Sequence, residues 1–208
     1  MIGYLNDLIK SASLLKIMHE IEPYYRWLSL YDPSKDEYSP FFGKEYNYDL
    51  YSDAIYNYYI DPAWDYIGSE TLYIKILFVS YELKFCIIEF IGEWNDAINN
   101  DIMFLKRNIV DHLSSYGINK YILLGEHVFN FHGSDDCYYE EWYEDMEDGW
   151  IAAVNFRDFV HEEWKKYHLD YYINFGGTLQ MDNWRTFNPL LLYKKVSDFI
   201  MRRLPDVC

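Results

Sequence analysis

Apolar positions along the chain fall into two regimes, one irregular and crowded with aromatics, the other periodic. At the start, Leu5, Leu8, Ile9, Ala12, Leu15 and Met18 recur near the 3.6-residue period, which predicts a helix over 4–20 limited by Pro23. From Glu70 the pattern is regular. Leu72, Ile74, Ile76 and Phe78 alternate, Leu77 and Val79 make the opposite face apolar too, and 85–91 behaves similarly beyond a Tyr81-Glu82-Leu83-Lys84 turn. These runs predict a β-hairpin covered on both sides. A long helix is expected next, roughly 95–116, with Ile98, Ile102, Leu105, Ile109, Leu113 and Tyr116 as its buried stripe and Gly117 just past its end.

Three further apolar runs, 121–129, 150–154 and 171–173, alternate with helical patterns. Over 158–168, Val160, Trp164 and Tyr167 share one side, Glu162 stands four residues before Lys166, and His161 and His168 fall at the surface. A last helix starts at Pro189 and ends on Arg202-Arg203, which complement its dipole. Strands alternating with helices imply parallel pairing. The expected fold is α/β: a mixed sheet built from the hairpin and three parallel βα units. Residues 1–69 are expected to form an aromatic-rich helical extension packed on that sheet, and 70–208 the α/β domain, the two folding as a single unit.

Composition gives the extension its character. Fifteen of the 43 residues in 24–66 are aromatic, eleven of them Tyr, punctuated by Pro33, Pro40, Gly43 and Pro62. A short helix is expected at 51–59, with the rest irregular and its rings covering the sheet. Charge then excludes several functions. Acidic residues number 34 against 18 basic ones, a net charge of -16 over 208 residues, the opposite of a phosphate-backbone or anionic-lipid binder. Arg26, Lys35 and Lys44 are too sparse to turn the aromatic stretch into a single-strand stacking groove. Cys86, Cys137 and Cys208 make neither a disulfide framework nor a zinc signature. Lys75, Glu82, Lys84 and Glu89 interrupt the most apolar stretch, and no secretory leader opens the chain, so a cytoplasmic protein is expected.

Candidate chemistry gathers at the strand ends. Asn130-Phe131, Asn155-Phe156 and Asn174-Phe175 each close an apolar run, at spacings of 25 and 19 residues. In open α/β sheets ligands bind outside the carboxyl ends of the strands. The expected ligand edge therefore comprises Asn130, His132, Ser134, Asp135, Asn155, Arg157, Asn174 and Gly176. His127 and His132 flank the first of these ends near Asp135 and Asp136, a pairing suited to acid–base work. Residues 135–148 hold eight acids and no base, with Tyr139, Trp142 and Met146 left for the interior, as expected of a helix with a solvated acidic face. No metal site is expected from that spacing. Absent a phosphate loop, a dinucleotide turn, a Gly-x-Ser-x-Gly elbow and a His-Glu-x-x-His pair, no cofactor is expected either.

From Glu70 onward the order of elements resembles that of STAS domains, the sigma-factor antagonist fold, over residues 70–203. The resemblance is one of order alone, and no sequence motif of that family is matched. It implies a regulatory domain whose phosphoacceptor position would fall at Ser134. The expected function is a non-catalytic interaction or regulatory domain with a protein partner or a second copy. The alternative is a small-molecule hydrolase or transferase using the strand-end crevice.

Overall fold

The computed structural model describes residues 21–56 and 58–203. The helix expected at 4–20 and Cys208 lie outside them. A 3-10 turn at Tyr25–Trp27 opens the described chain. Two short strands, β1 (Ala54–Ile55) and β2 (Tyr58–Tyr59), pair with each other. There follow β3 (Asp65–Tyr66), β4 (Leu72–Ser80) and β5 (Phe85–Asn95). The helical path then runs through α1 (Asp101–Leu105), a π-helical turn (Lys106–Val110) and α2 (Asp111–Ser115). Next come β6 (Lys120–His132), α3 (Cys137–Glu144), β7 (Trp150–Val154), α4 (Asp158–Lys166), β8 (Ile173–Asn174) and α5 (Pro189–Arg203). The protein is a mixed α/β fold.

Six strands form the main sheet in chain order, β3 to β8. The β3–β4 and β4–β5 pairs are antiparallel, while β5, β6, β7 and β8 run parallel. Because each parallel crossover steps the same way across the sheet and crossovers are right-handed, the helices between strands share one face. Alternation along the strands sorts the core accordingly. Ile74, Ile88, Phe90, Leu123, Ile151 and Ala153 pack with Ile102, Leu105, Trp142 and Trp164 on the crossover face. Phe85, Ile87, Ile122, Leu124, Ala152 and Val154 point the other way, where Leu192, Val196 and Ile200 of α5 meet Trp27, Leu179 and Trp184. Tyr73 and Ile91 continue that second face under Ile55, Ile60 and Trp64. Aromatics of the N-terminal segment thus cover the sheet: Trp27 lies edge-on to Trp184 at 5.6 Å.

Several local expectations need correction. In place of the helix expected at 51–59, Ala54–Ile55 and Tyr58–Tyr59 pair as a two-stranded ribbon, with Tyr56 in the left-handed region at φ 49°. The sheet also begins before residue 70, since β3 pairs with β4. The helix expected from 95 starts at Asp101 because β5 continues to Asn95, and Ile98, placed in the buried stripe, is 83% exposed. Lys166 pairs with Glu163 at 3.3 Å instead of Glu162. His161 is buried, its ring stacked on Phe175 at 4.9 Å.

Gly92 marks how closely the hairpin approaches its own entry loop. Its φ is +116°, and a Cβ there would lie 2.0 Å from the Thr71 carbonyl oxygen, which accepts the Glu93 N–H at 2.9 Å. Gly43, at φ +73°, faces open space. Gly92→Ala is therefore expected to cost about 3 kcal/mol or more in urea unfolding, and Gly43→Ala only about 1 kcal/mol.

Candidate functional site

An irregularity in β6 helps to build a polar site on the second face. Glu89 is paired with Leu124 but Ile91 with His127, so Gly125 and Glu126 together oppose Phe90. Such a bulge re-aims side chains. Glu126 and His127, adjacent in sequence, both reach toward Arg185 and Glu89. The Arg185 guanidinium donates to Glu126 Oε2 and lies 3.5 Å from Glu89 Oε1; His127 Nε2 is 4.0 Å from that same oxygen. Glu89 Oε2 accepts the Tyr24 backbone N–H at 2.8 Å, and the Tyr24 hydroxyl donates to the Arg185 carbonyl at 2.5 Å. Burial pushes the Glu89 carboxyl up to about 7. Burial also opposes ionisation of Glu126, but hydrogen bonds from Arg185, Asn155 and Trp184 outweigh it and hold that carboxyl below its ordinary value. Burial pushes the His127 imidazole down.

The three carboxamides serve different neighbours. Asn155, left-handed at φ 56°, donates to Glu126 Oε1 at 2.7 Å and to the Met181 carbonyl at 3.0 Å, and its oxygen accepts the Met181 N–H at 2.5 Å. It clasps the 180–187 loop to the sheet. Asn174 is level with Ala152 and donates to the Ile151 carbonyl at 3.2 Å. Asn130 stands apart because β6 overruns β7. Pairing with β7 stops at Leu124, six residues earlier, whereas Asn130 lies opposite Glu93 of β5, about 20 Å farther along the strand. Its amide donates to His132 Nε2 at 2.8 Å, and that nitrogen is 3.6 Å from Glu93 Oε1. The carboxylates facing His127 and His132 are thus Glu89 and Glu93 on the neighbouring strand.

The other edge residues also take local roles. Asp135 accepts the Cys137 N–H at 3.1 Å at the start of α3, beside half-buried Ser134. Arg157 is exposed, with its guanidinium 5.4 Å from the Phe129 ring centroid. The Gly176 carbonyl accepts from Arg203 at 2.6 Å. A shallow depression of about 490 Å³ opens between Glu126, Asn155, Phe156, Arg157, Asp158, Gln180 and Asp182. Asn155 and Arg157 are the members of the expected edge that line it.

On the crossover face the acidic segment is not wholly solvated. The π-helical turn buries Lys106, whose ammonium meets Asp111, Asp145 at 2.8 Å and Glu141 at 3.3 Å. Arg107 adds two bonds to Glu141, at 2.5 and 2.8 Å. Asp111, Glu141 and Asp145 lie close enough to share a cation, and the Lys106 ammonium sits among them. Asp135, Glu140, Glu144, Glu147 and Asp148 stay exposed. Beside them runs a chain of rings: Tyr143 and Tyr172 at 5.9 Å, then Tyr171 at 6.5 Å, with the Tyr172 hydroxyl donating to Asp136 at 3.1 Å.

Sequence reasoning named Arg185, with Arg157, as an anion-pairing candidate but missed its partners Glu89 and Glu126, and missed Lys106. The available signal was a charged residue inside the apolar run 85–91, which marks a position needing a partner from elsewhere in the chain. Comparison of the chain with protein-family models and with curated proteins gave no match.

The clasp has a direct test. Asn155→Gly keeps the left-handed backbone but removes three hydrogen bonds, with an expected cost of about 2 kcal/mol at pH 6. Asn155→Asp sets a second carboxylate against Glu126. It is expected to cost about 3–4 kcal/mol at pH 7 and progressively less below pH 5, as one of the pair takes a proton; urea unfolding across pH reads both.

Proposed function

We propose that this chain is a non-catalytic cytosolic interaction domain that docks a Lys- and Arg-rich segment of a protein partner on the face formed by α3 and Tyr171. One observation carries the proposal: exposed carboxylates and exposed rings are continuous there. Glu140 and Glu144 face Tyr172, whose ring lies between those of Tyr143 and Tyr171, which are 47% and 74% exposed. Tyrosine gives rigid contact area at an interface, and complementary charge steers the partner and fixes its register. The Lys106–Asp145 and Arg107–Glu141 bonds hold α3 on the helical layer beneath, so the face is preorganised. No described helix is long and apolar enough to cross a membrane. The order of elements, similar to that of STAS domains, supports a regulatory role by analogy only.

A second reading, a hydrolase or transferase, draws on the depression beside Glu126. Against it, Glu126 spends its oxygens on Arg185, Asn155 and Trp184, and Asn155 spends its amide on the 180–187 loop.

An arginine- and lysine-rich peptide, followed by fluorescence anisotropy, tests the docking face. Binding is expected to weaken about tenfold in Tyr171→Ala and more in the Glu140→Lys/Glu144→Lys pair. Glu37→Lys/Glu82→Lys, an equal charge change on exposed residues elsewhere, is expected to change affinity less than threefold. Equal losses in the two charge-reversal pairs, with Tyr171→Ala unchanged, would reduce the effect to the general charge of -16.

A further inference from the structure

The polar group on the second face, unlike the exposed acids of the docking face, sets its carboxylates beneath covering segments. Glu89 is 2% exposed and the Glu126 side chain 22%, and between them stands one guanidinium, Arg185. The other groups facing Glu89 pair elsewhere or carry no fixed charge. Opposite it on β4, Lys75 lies 3.1 Å from Asp65, a carboxylate that Lys44 also holds at 2.7 Å, and its ammonium makes no ion pair with Glu89. From the N-terminal segment comes the neutral Tyr24 N–H. From β6 come Glu126 itself and the His127 imidazole, 4.0 Å away. Among the described residues, Arg185 is therefore the one fixed cation within ion-pair distance of either carboxylate, in a place where an uncompensated charge is costly. One proton on Glu89 brings these four side chains to neutrality.

That proton sits where two separate chain segments are fastened. Tyr24 binds Glu89 through its amide and the Arg185 carbonyl through its hydroxyl. The 180–187 loop is held through Arg185, through the Trp184 indole on Glu126 at 2.7 Å, and through Asn155 on Met181. Trp27 packs on Trp184 between them.

We propose that Glu89, Glu126, His127 and Arg185 form a proton-binding latch that fastens residues 24–27 and the 180–187 loop to the sheet, tight when it carries one proton and loosened when that proton leaves.

The direction follows from linkage. Glu89, held up to about 7, binds a proton in the folded protein over a range where the unfolded chain has lost it. Its contribution is complete below the ordinary carboxylate range and is lost as pH rises through about 7. His127, pushed down by burial, works in the opposite sense: its contribution is present above the ordinary imidazole range and is lost as pH falls through its lowered value. The latch is therefore tightest on the acid side of neutrality, above the pH at which His127 takes a proton of its own.

The experiment uses the full chain. In wild type, ¹³C NMR of glutamate side chains is expected to show one carboxyl titrating between pH 6 and 8. The Trp184 indole N–H, bonded to Glu126, is expected to shift with the same midpoint. In Glu89→Gln that indole shift is expected to vanish across this range, while the fold, read by the dispersed amide spectrum, persists. Should Glu89→Gln fail to fold, the wild-type titration still decides. Glutamates that all titrate below pH 5.5 overturn the proposal. So does a neutral-range titration that leaves the Trp184 indole unmoved, or an indole shift that survives in Glu89→Gln.

Discussion

The strand order of the main sheet governs the rest of this molecule. Each strand lies beside the next in sequence, so every parallel crossover must place its helix on the same face. The opposite face is left to segments that arrive from outside the βα units. Trp27 comes from the N-terminal side, Trp184 and α5 from the other end of the described chain, and the two indoles meet in the middle. Apolar burial on both faces is what lets β5 be buried along its entire length. It also traps Glu89 within that strand, so the covering segments must supply polar contacts as well as rings.

Elements with a clear period were legible in the sequence. The hairpin, the parallel strands and α5 from Pro189 to Arg203 follow alternation, the 3.6-residue period and terminal signals. Residues 51–59 were not, because a short run of Tyr and Ile suits a helix face and a ribbon equally. The π-helical turn was hidden for a different reason: Ile102, Leu105, Ile109 and Leu113 stay buried through it, and only the burial of Lys106 reveals the extra residue in the turn.

The candidate site was less legible than the fold. The Asn-Phe pairs do mark strand ends, but strand length sets their level, and β6 carries Asn130 well past Asn155. Glu126 and Arg185 are 59 residues apart and meet only because a bulge turns one toward a loop that folds over the sheet. Periodicity carries no information on such a pairing. A buried charge is the trace it leaves in sequence, and Glu89 is that trace. The two faces consequently differ in kind. One presents exposed acids and tyrosines on an anchored helix; the other closes an interior polar group under two straps.

Native-state hydrogen exchange of the Tyr24 amide tests most directly whether the N-terminal segment is part of the sheet's closure. That N–H donates to Glu89 at 2.8 Å beneath the packed indoles. If the second face needs this cover, Tyr24 is predicted, at pH 6 where Glu89 holds its proton, to exchange with the same opening free energy and denaturant dependence as the amides of Ile87 and Ile88 in β5. Exchange of Tyr24 at the rate of an exposed loop amide, with β5 fully protected, would contradict the account.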